Sequence, residues 1–378
     1  MKILHTSDWH LGASDGERSL NEDQRFFIDK ICDIVSEKSI DAVIISGDVY
    51  DRSVSSAEAI KLYDHAMTRL CGDLKVKVIV VAGNHDSAER LSSCRELLSS
   101  SGLYVAGELE RNIPKVSVGN TDIYMLPWIT EEKVKSIFPE RKDDISSLED
   151  AYNVVTGHIK ENFDKSKKNV IVSHAYITDS ETSTSDRAAV IGYAMQVPAS
   201  VFDGFDYAAL GHIHKPQDVT KNVRYSGTPM PYSFGREEAQ EKSVTVIDTD
   251  DMSRETVPLP LLHLRTTLTG TMSDLLDPKY DENVINGYVR LQVTDQYVGL
   301  EALSEFKEIY PNLIEAAGKT FEGENTTVTL TMEELEKLEN DPIEVFIHFC
   351  KEELQTEADE RLTDLFAKAI RSTEEAEK

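Results

Sequence analysis

Five short segments carry side chains of the kind that hold metals. They are Asp8-Trp9-His10, Gly47-Asp48, Gly83-Asn84-His85-Asp86, Ser173-His174 and Gly211-His212-Ile213-His214. The expected donors are the carboxylates of Asp8 and Asp48, the amide of Asn84 and the imidazoles of His10, His85, His174, His212 and His214. That set suffices for two divalent cations side by side, with one histidine to spare. A paired-metal centre activates water and clamps a phosphate. The donors therefore imply hydrolysis of a phosphate ester.

The elements that must position these donors alternate in type. Residues 1–6 read as a short buried strand, and residues 22–38 as a helix with Phe27, Ile31, Ile34 and Val35 on one face. An apolar strand is predicted over 41–46, a helix over 55–71 and another apolar strand over 76–82. Such βαβ alternation predicts an α/β fold with a largely parallel, buried sheet. Further strands are predicted at 122–126, 170–173, 207–210, 223–226 and 243–248, and a long polar loop at 178–187. In open α/β sheets, ligands gather beyond the carboxyl ends of the strands. Asp8, Asp48, Asn84 and His174 each follow an apolar strand by one or two residues, so all four are expected on one rim. Asp8 and His10 alternate by two, as do His212 and His214, which lets both members of each pair face that rim. Asp48 can bridge two cations because a carboxylate has two oxygens. Mixed imidazole and carboxylate ligation suits manganese, iron or zinc better than calcium or magnesium.

His85 directly follows a donor, so its ring should point elsewhere while staying near the metals. That suits a proton donor to the leaving oxygen or a stabiliser of the charged transition state. Asp51 could orient His85, or it could cap a turn. Arg52 could meet a phosphate oxygen, or it could be a solvated surface charge. His5, His65, His158, His263 and His348 are read as structural.

The 378-residue chain carries a net charge of −28. Nucleic-acid affinity comes largely from Lys and Arg neutralising phosphates. An acidic chain that acts on a polyanion must therefore grip it through metals, a local basic patch or a partner. The cysteines Cys32, Cys71, Cys94 and Cys350 form no Cys-x-x-Cys pair and sit in apolar helical patterns, which predicts buried free thiols in a reducing compartment. No signal peptide is read before the first strand, and no apolar run approaches the roughly 20 residues of a membrane span. A cytoplasmic protein without a membrane partner is expected.

Beyond about residue 255 the character changes. Pro258 and Pro260 mark a junction, strands are predicted at 262–268 and 288–293, and a helix at 300–309. The expected domains are a catalytic one over 1–255, a small α+β capping one over 256–330, and C-terminal helices over 331–378. Asp341-Pro342 begins the first of these helices, with Ile343, Phe346, Ile347, Cys350 and Leu354 on one face. Two such helices either pack back on the chain or dock on a partner.

The order Asp-x-His, Gly-Asp-x-x-Asp, Gly-Asn-His-Asp, His, Gly-His-x-His resembles the calcineurin-like metallophosphoesterases. Within them, His5-Thr6-Ser7-Asp8-Trp9-His10-Leu11-Gly12, Gly47-Asp48-Val49-Tyr50-Asp51, Ala82-Gly83-Asn84-His85-Asp86-Ser87 and Ala209-Leu210-Gly211-His212-Ile213-His214 resemble the SbcD branch of bacterial nuclease subunits. So does Val223-Arg224-Tyr225-Ser226-Gly227-Thr228-Pro229. The resemblance covers roughly the first 235 residues; the remainder is similar in layout only. It implies an α/β sandwich with flanking helices and manganese-dependent DNA cleavage, both exonucleolytic (3′–5′) and endonucleolytic at hairpins and single strands. It implies one metal on Asp8, His10, Asp48 and His214, a second on Asp48, Asn84, His174 and His212, and His85 as the catalytic histidine. It further implies a homodimer that pairs, through the terminal helices, with an SbcC-type coiled-coil ATPase in DNA end processing. Archaeal and eukaryotic relatives tend to carry His at the position of Asp51, so a second catalytic imidazole is absent here. A phosphatase or small-molecule phosphodiesterase built on the same centre is the alternative, because fold does not dictate substrate.

Overall fold

The computed structural model describes residues 1–16, 18–178, 180–182, 195–318 and 363. The chain forms two compact units, Met1–Lys319 and Thr320–Lys378. The helices expected over 331–378 lie outside the described residues, Thr363 apart, as do residues 179 and 183–187 of the expected loop.

Two six-stranded sheets form the centre of the first unit. One runs in the order Ser253–Pro258, Ser243–Asp248, Lys2–Thr6, Ala42–Ser46, Lys77–Val81, Leu103–Ala106. Its last four strands are parallel and its first two antiparallel. The other runs Gln217–Asp218, Val223–Tyr225, Tyr207–Gly211, Lys168–His174, Thr121–Leu126, Lys115–Val118, with parallel strands flanked by antiparallel edges.

Successive side chains on a strand face opposite ways, and both faces here are covered. Ile3, Ile44, Ile79 and Val81 pack between the sheets against Ile123, Met125, Val170, Val172 and Ala209. Leu4, Val43, Ile45, Val78 and Val80 face outward into a core shared with helices Asn21–Glu37 and Ala57–Met67. Leu126, Ile171 and Leu210 do the same toward helix Leu148–Lys160. The result is a helix–sheet–sheet–helix sandwich. Coverage on both faces explains the uninterrupted apolar runs such as Ala42-Val43-Ile44-Ile45. Ser56 and Ser147 cap the two later helices, each accepting a hydrogen bond from the backbone N–H three residues on.

The structure departs from the sequence expectations at several places. The helix expected over 55–71 is α-helical from Ala57 to Met67 and continues as a π turn, Thr68–Asp73. Strand Ser253–Pro258 extends the first sheet through the stretch read as a junction. It is an edge strand with a largely exposed, polar sequence, and Pro258 at its end lies where a ladder hydrogen bond can be dispensed with. Cys32 is a buried free thiol as expected, whereas Cys71 is half-buried and Cys94 is exposed. Cys94 sits in a left-handed turn (φ 59°) ahead of helix Arg95–Ser99, so it never joins an apolar face.

A separate three-stranded parallel sheet follows: Arg265–Gly270, Tyr288–Val293 and Leu313–Ala317. Leu268, Leu275, Val289, Leu291, Phe306 and Tyr310 fill its own core beneath helices Met272–Leu276 and Leu300–Ile309. It is tied to the sandwich by Tyr288 Oη, which donates to Asp23 (2.6 Å), by His263 against the same carboxylate (3.1 Å), and by the Arg265–Asp15 ion pair.

Candidate metal centre

Strands from both sheets end at one rim. His174 and Gly211 are register partners at the ends of neighbouring strands in the second sheet, and Ser46 ends a central strand of the first. The Ser46 hydroxyl donates to the Ala209 carbonyl (3.1 Å), and the Ser46 carbonyl accepts from His174 Nδ1 (2.9 Å). This approach demands glycine: a Cβ on Gly211 would collide with the Ser46 carbonyl, and one on Gly83 with the Asp48 carboxylate. The backbone itself is bent into place. Asp8 (φ 53°), His10 (φ 42°), Asp48 (φ 46°) and His212 (φ 103°) all have positive φ. Each such residue costs of order 1–3 kcal/mol and persists only where its surroundings over-determine it.

The seven side chains expected as ligands converge there. His10 Nε2 faces His214 Nε2 at 3.2 Å. Asn84 Oδ1 lies 3.0 Å from both His174 Nε2 and His212 Nδ1, which are 3.3 Å from each other. Asp48 Oδ2 is 3.4 Å from His174 Nε2 and 3.9 Å from both His10 Nε2 and His85 Nε2. The Asp8 carboxylate accepts the His212 backbone N–H (2.9 Å). Among the described residues, two sets of donor atoms close enough to share an ion emerge, Asp8–His10–His214 and Asp8–Asp48–His174; a third comprises His10, Asp51 and His85. His85 Nδ1 donates to the backbone carbonyl of Asp51 (2.9 Å). The Asp51 carboxylate instead lies 3.9 Å from His10 Nδ1 and 3.3 Å from Arg52 Nε. The Asp51 main chain thus fixes the Nδ1 side of the His85 ring. Arg52 is largely in solvent.

The charges fit a cation. Burial, reinforced by the Asp48 charge, pushes the Asp8 carboxyl up to about 6. Burial opposes ionisation of Asp48 too, but His174, His10 and His85 hold it below the ordinary carboxylate range. Burial alone would lower the His174 pKa, yet the Asp48 and Asp8 carboxylates lift it to about 9. His212 falls to about 3, through burial and the neighbouring His174. A proton on His174 therefore stands where the carboxylates call for positive charge. Its Nδ1 is committed to Ser46, so Nε2 is the nitrogen turned toward Asn84 and Asp48. Imidazole, carboxylate and amide donors arranged in this way match transition-metal ligation.

The calcineurin-like phosphoesterase family matches residues 1–216. The D subunit of nuclease SbcCD from Staphylococcus saprophyticus is 30% identical over 346 residues, 91% of each chain. That of Staphylococcus epidermidis is 29% identical over 326 residues, 85% of this chain and 86% of that one. The chain belongs to the calcineurin-like phosphoesterases, in the SbcD branch. Among solved structures, TT1561 of Thermus thermophilus aligns at 14% identity with a TM-score of 0.41, covering 68% of this chain and 99% of that one. As an SbcD-type phosphoesterase the chain is a metal-dependent hydrolase.

Several residues around this SbcD-type centre have no role that sequence reasoning assigns. The Asp86 carboxylate accepts the backbone N–H groups of Val49, Tyr50 and Gly83, clamping the Asp48 and Asn84 segments together. Gln24 donates to the His10 carbonyl (2.7 Å) and accepts from Gly12 N–H (2.9 Å). Trp128 stacks on His212, with centroids 5.5 Å apart. The one signal for Asp86 is its place inside Gly83-Asn84-His85-Asp86; Gln24 and Trp128 lie far along the chain from the groups they hold. His5 is buried and bonded to Tyr207 Oη (2.9 Å) and the Leu210 carbonyl (3.2 Å). No described helix is long and apolar enough to cross a membrane.

Proposed function

We propose that the chain is a two-metal DNA phosphodiesterase, the cutting subunit of an SbcCD-type complex. The observation that carries this reading is the pair of donor clusters that share Asp8, with the Asp48 carboxylate within 4 Å of His10, His174 and His85. Asp8, His10, Asp48 and His214 would hold one divalent ion, and Asp48, Asn84, His174 and His212 the other. Such ions would lower the pKa of water and neutralise charge on the phosphoryl oxygens. Manganese suits the donor set.

The protein's own groups define the rest. His85 has Nδ1 engaged by the Asp51 carbonyl, so any proton it delivers leaves from Nε2, the nitrogen on the Asp48 side. That nitrogen serves the departing 3′ oxygen. Arg52, exposed beside Asp51, would meet a substrate phosphate in this reading. A nucleic acid is the substrate class because both relatives are nuclease subunits by name, and DNA is the member that the motif resemblance implies. Their shared name also speaks for a partner subunit, in this reading a coiled-coil ATPase engaged by residues 331–378. Cleavage at ends and hairpins, homodimerisation, a capping role for the small sheet and a cytoplasmic setting belong to the same proposal. With a chain this acidic, the partner supplies most of the grip on DNA.

The test compares manganese-dependent release from linear duplex DNA, hairpin DNA, a phosphopeptide and a cyclic nucleotide, with and without the ATPase partner. DNA turnover should dominate; preference for either small substrate would overturn the assignment. His85→Ala should keep both metals and lose about 10²–10⁴-fold in turnover. Wild-type cutting by that variant would remove His85 from the mechanism.

A further inference from the structure

We propose that Glu237 is a positioning residue for His214, and that the three-stranded sheet holds it there. The inference rests on His214 being a metal ligand, as read above. Segment 232–242 joins strand Val223–Tyr225 to strand Ser243–Asp248 and carries two charges, Glu237 and Lys242, whose side chains are both fully buried, 3.2 Å apart. A buried ion pair is seldom more stable than apolar packing of the same volume. This one touches a ligand of the metal cluster. Glu237 Oε1 lies 3.5 Å from His214 Nδ1, while His214 Nε2 faces His10. A carboxylate on the far nitrogen of a metal-binding histidine fixes its tautomer and ring orientation. Lys242 offsets the carboxylate charge and also donates to Thr228 Oγ1 (2.7 Å) and Gln240 Oε1 (3.2 Å). The second Glu237 oxygen accepts the backbone N–H groups of Tyr232 and Ser233, each at 2.8 Å.

The next residue faces the other way. Glu238 accepts from the Thr267 N–H (2.8 Å) and hydroxyl (2.6 Å) on the three-stranded sheet. Phe234 lies beneath the guanidinium groups of Arg265 (4.8 Å) and Arg290 (4.5 Å) from the same sheet. The segment is therefore anchored on both sides, and displacement of the small sheet is transmitted to the carboxylate that aims His214.

Calorimetric titration of manganese(II) into the chelator-stripped full chain tests this, with circular dichroism to confirm folding. The wild type should bind two ions. Glu237→Asp keeps the charge but retracts the carboxylate, and should weaken one site about 10–100-fold while sparing the other. The double variant Glu237→Gln/Lys242→Met removes both charges together and should show the same split. Glu238→Ala should weaken the same site by less. Two sites of wild-type affinity in folded Glu237→Asp and in the double variant would overturn the role of Glu237. An unaltered Glu238→Ala would overturn that of the sheet. Fewer than two ions in the wild type would instead sink the reading of the metal centre itself.

Discussion

The rim of the sandwich and the three-stranded sheet are built on opposite terms. At the rim, four non-glycine residues have positive φ, Gly47, Gly83 and Gly211 sit where a Cβ would collide, and carboxylates are buried beside imidazoles. The small sheet runs parallel with one register shift, carries a full capping box at Thr271 and Asp274, and fills its own core with Leu, Val, Phe and Tyr. Its local preferences agree with its fold. At the rim they conflict, and the surrounding sheets enforce the conformation. Conflict of that kind marks function.

The comparison predicts that substitutions separate cleanly. The largest effect is expected from Asp48→Asn, which removes the shared charge: turnover should fall on the order of a thousandfold or more, about 4 kcal/mol of transition-state stabilisation. Thermal melts of the metal-free chain above pH 9, where His174 has lost its proton, should change far less. Phe306→Ala should do the reverse, costing about 3–5 kcal/mol of stability in the small sheet while the metal count of the folded protein stays at that of the wild type. If Phe306→Ala emptied the metal sites, the two regions would be one cooperative device.

pH sharpens the contrast further. Because the folded chain holds the His174 pKa above its ordinary 6.5, at about 9, the protonated form is favoured by folding. That stabilisation is complete below about 6.5 and disappears as pH rises through about 9. The metal-free chain should therefore melt earlier at pH 9 than at pH 6.5. Manganese should flatten this dependence, because ligation displaces the proton. A pH-independent melt of the stripped chain would contradict the placement of that proton. The smallest effect is expected from Thr271→Ala, which removes the capping box: about 1 kcal/mol of stability, with metal affinity unchanged.

Much of this arrangement is legible from one dimension. The proposed ligands can be found because each follows an apolar strand, and buried parallel strands advertise themselves as unbroken Val and Ile runs. The supporting residues cannot. Asp86 acts on Val49 and Tyr50 across 37 and 36 positions, and Gln24 on His10 across 14. Neither distance has a local signature. Asp51 shows a subtler limit: sequence offers its carboxylate as a group that could orient His85, but gives no sign that its carbonyl also accepts from His85 Nδ1. Strand Ser253–Pro258 escapes because an edge strand needs no apolar alternation.

The Ser46 carbonyl belongs to the first sheet, yet it aims His174 in the second. A ribosome-bound nascent chain that has released only the first hundred residues owns Asp8, His10, Asp48 and Asn84 but lacks the opposing imidazoles. Under the proposed ligand assignment, hydrolytic competence must await translation through His214 and closure of one sheet on the other.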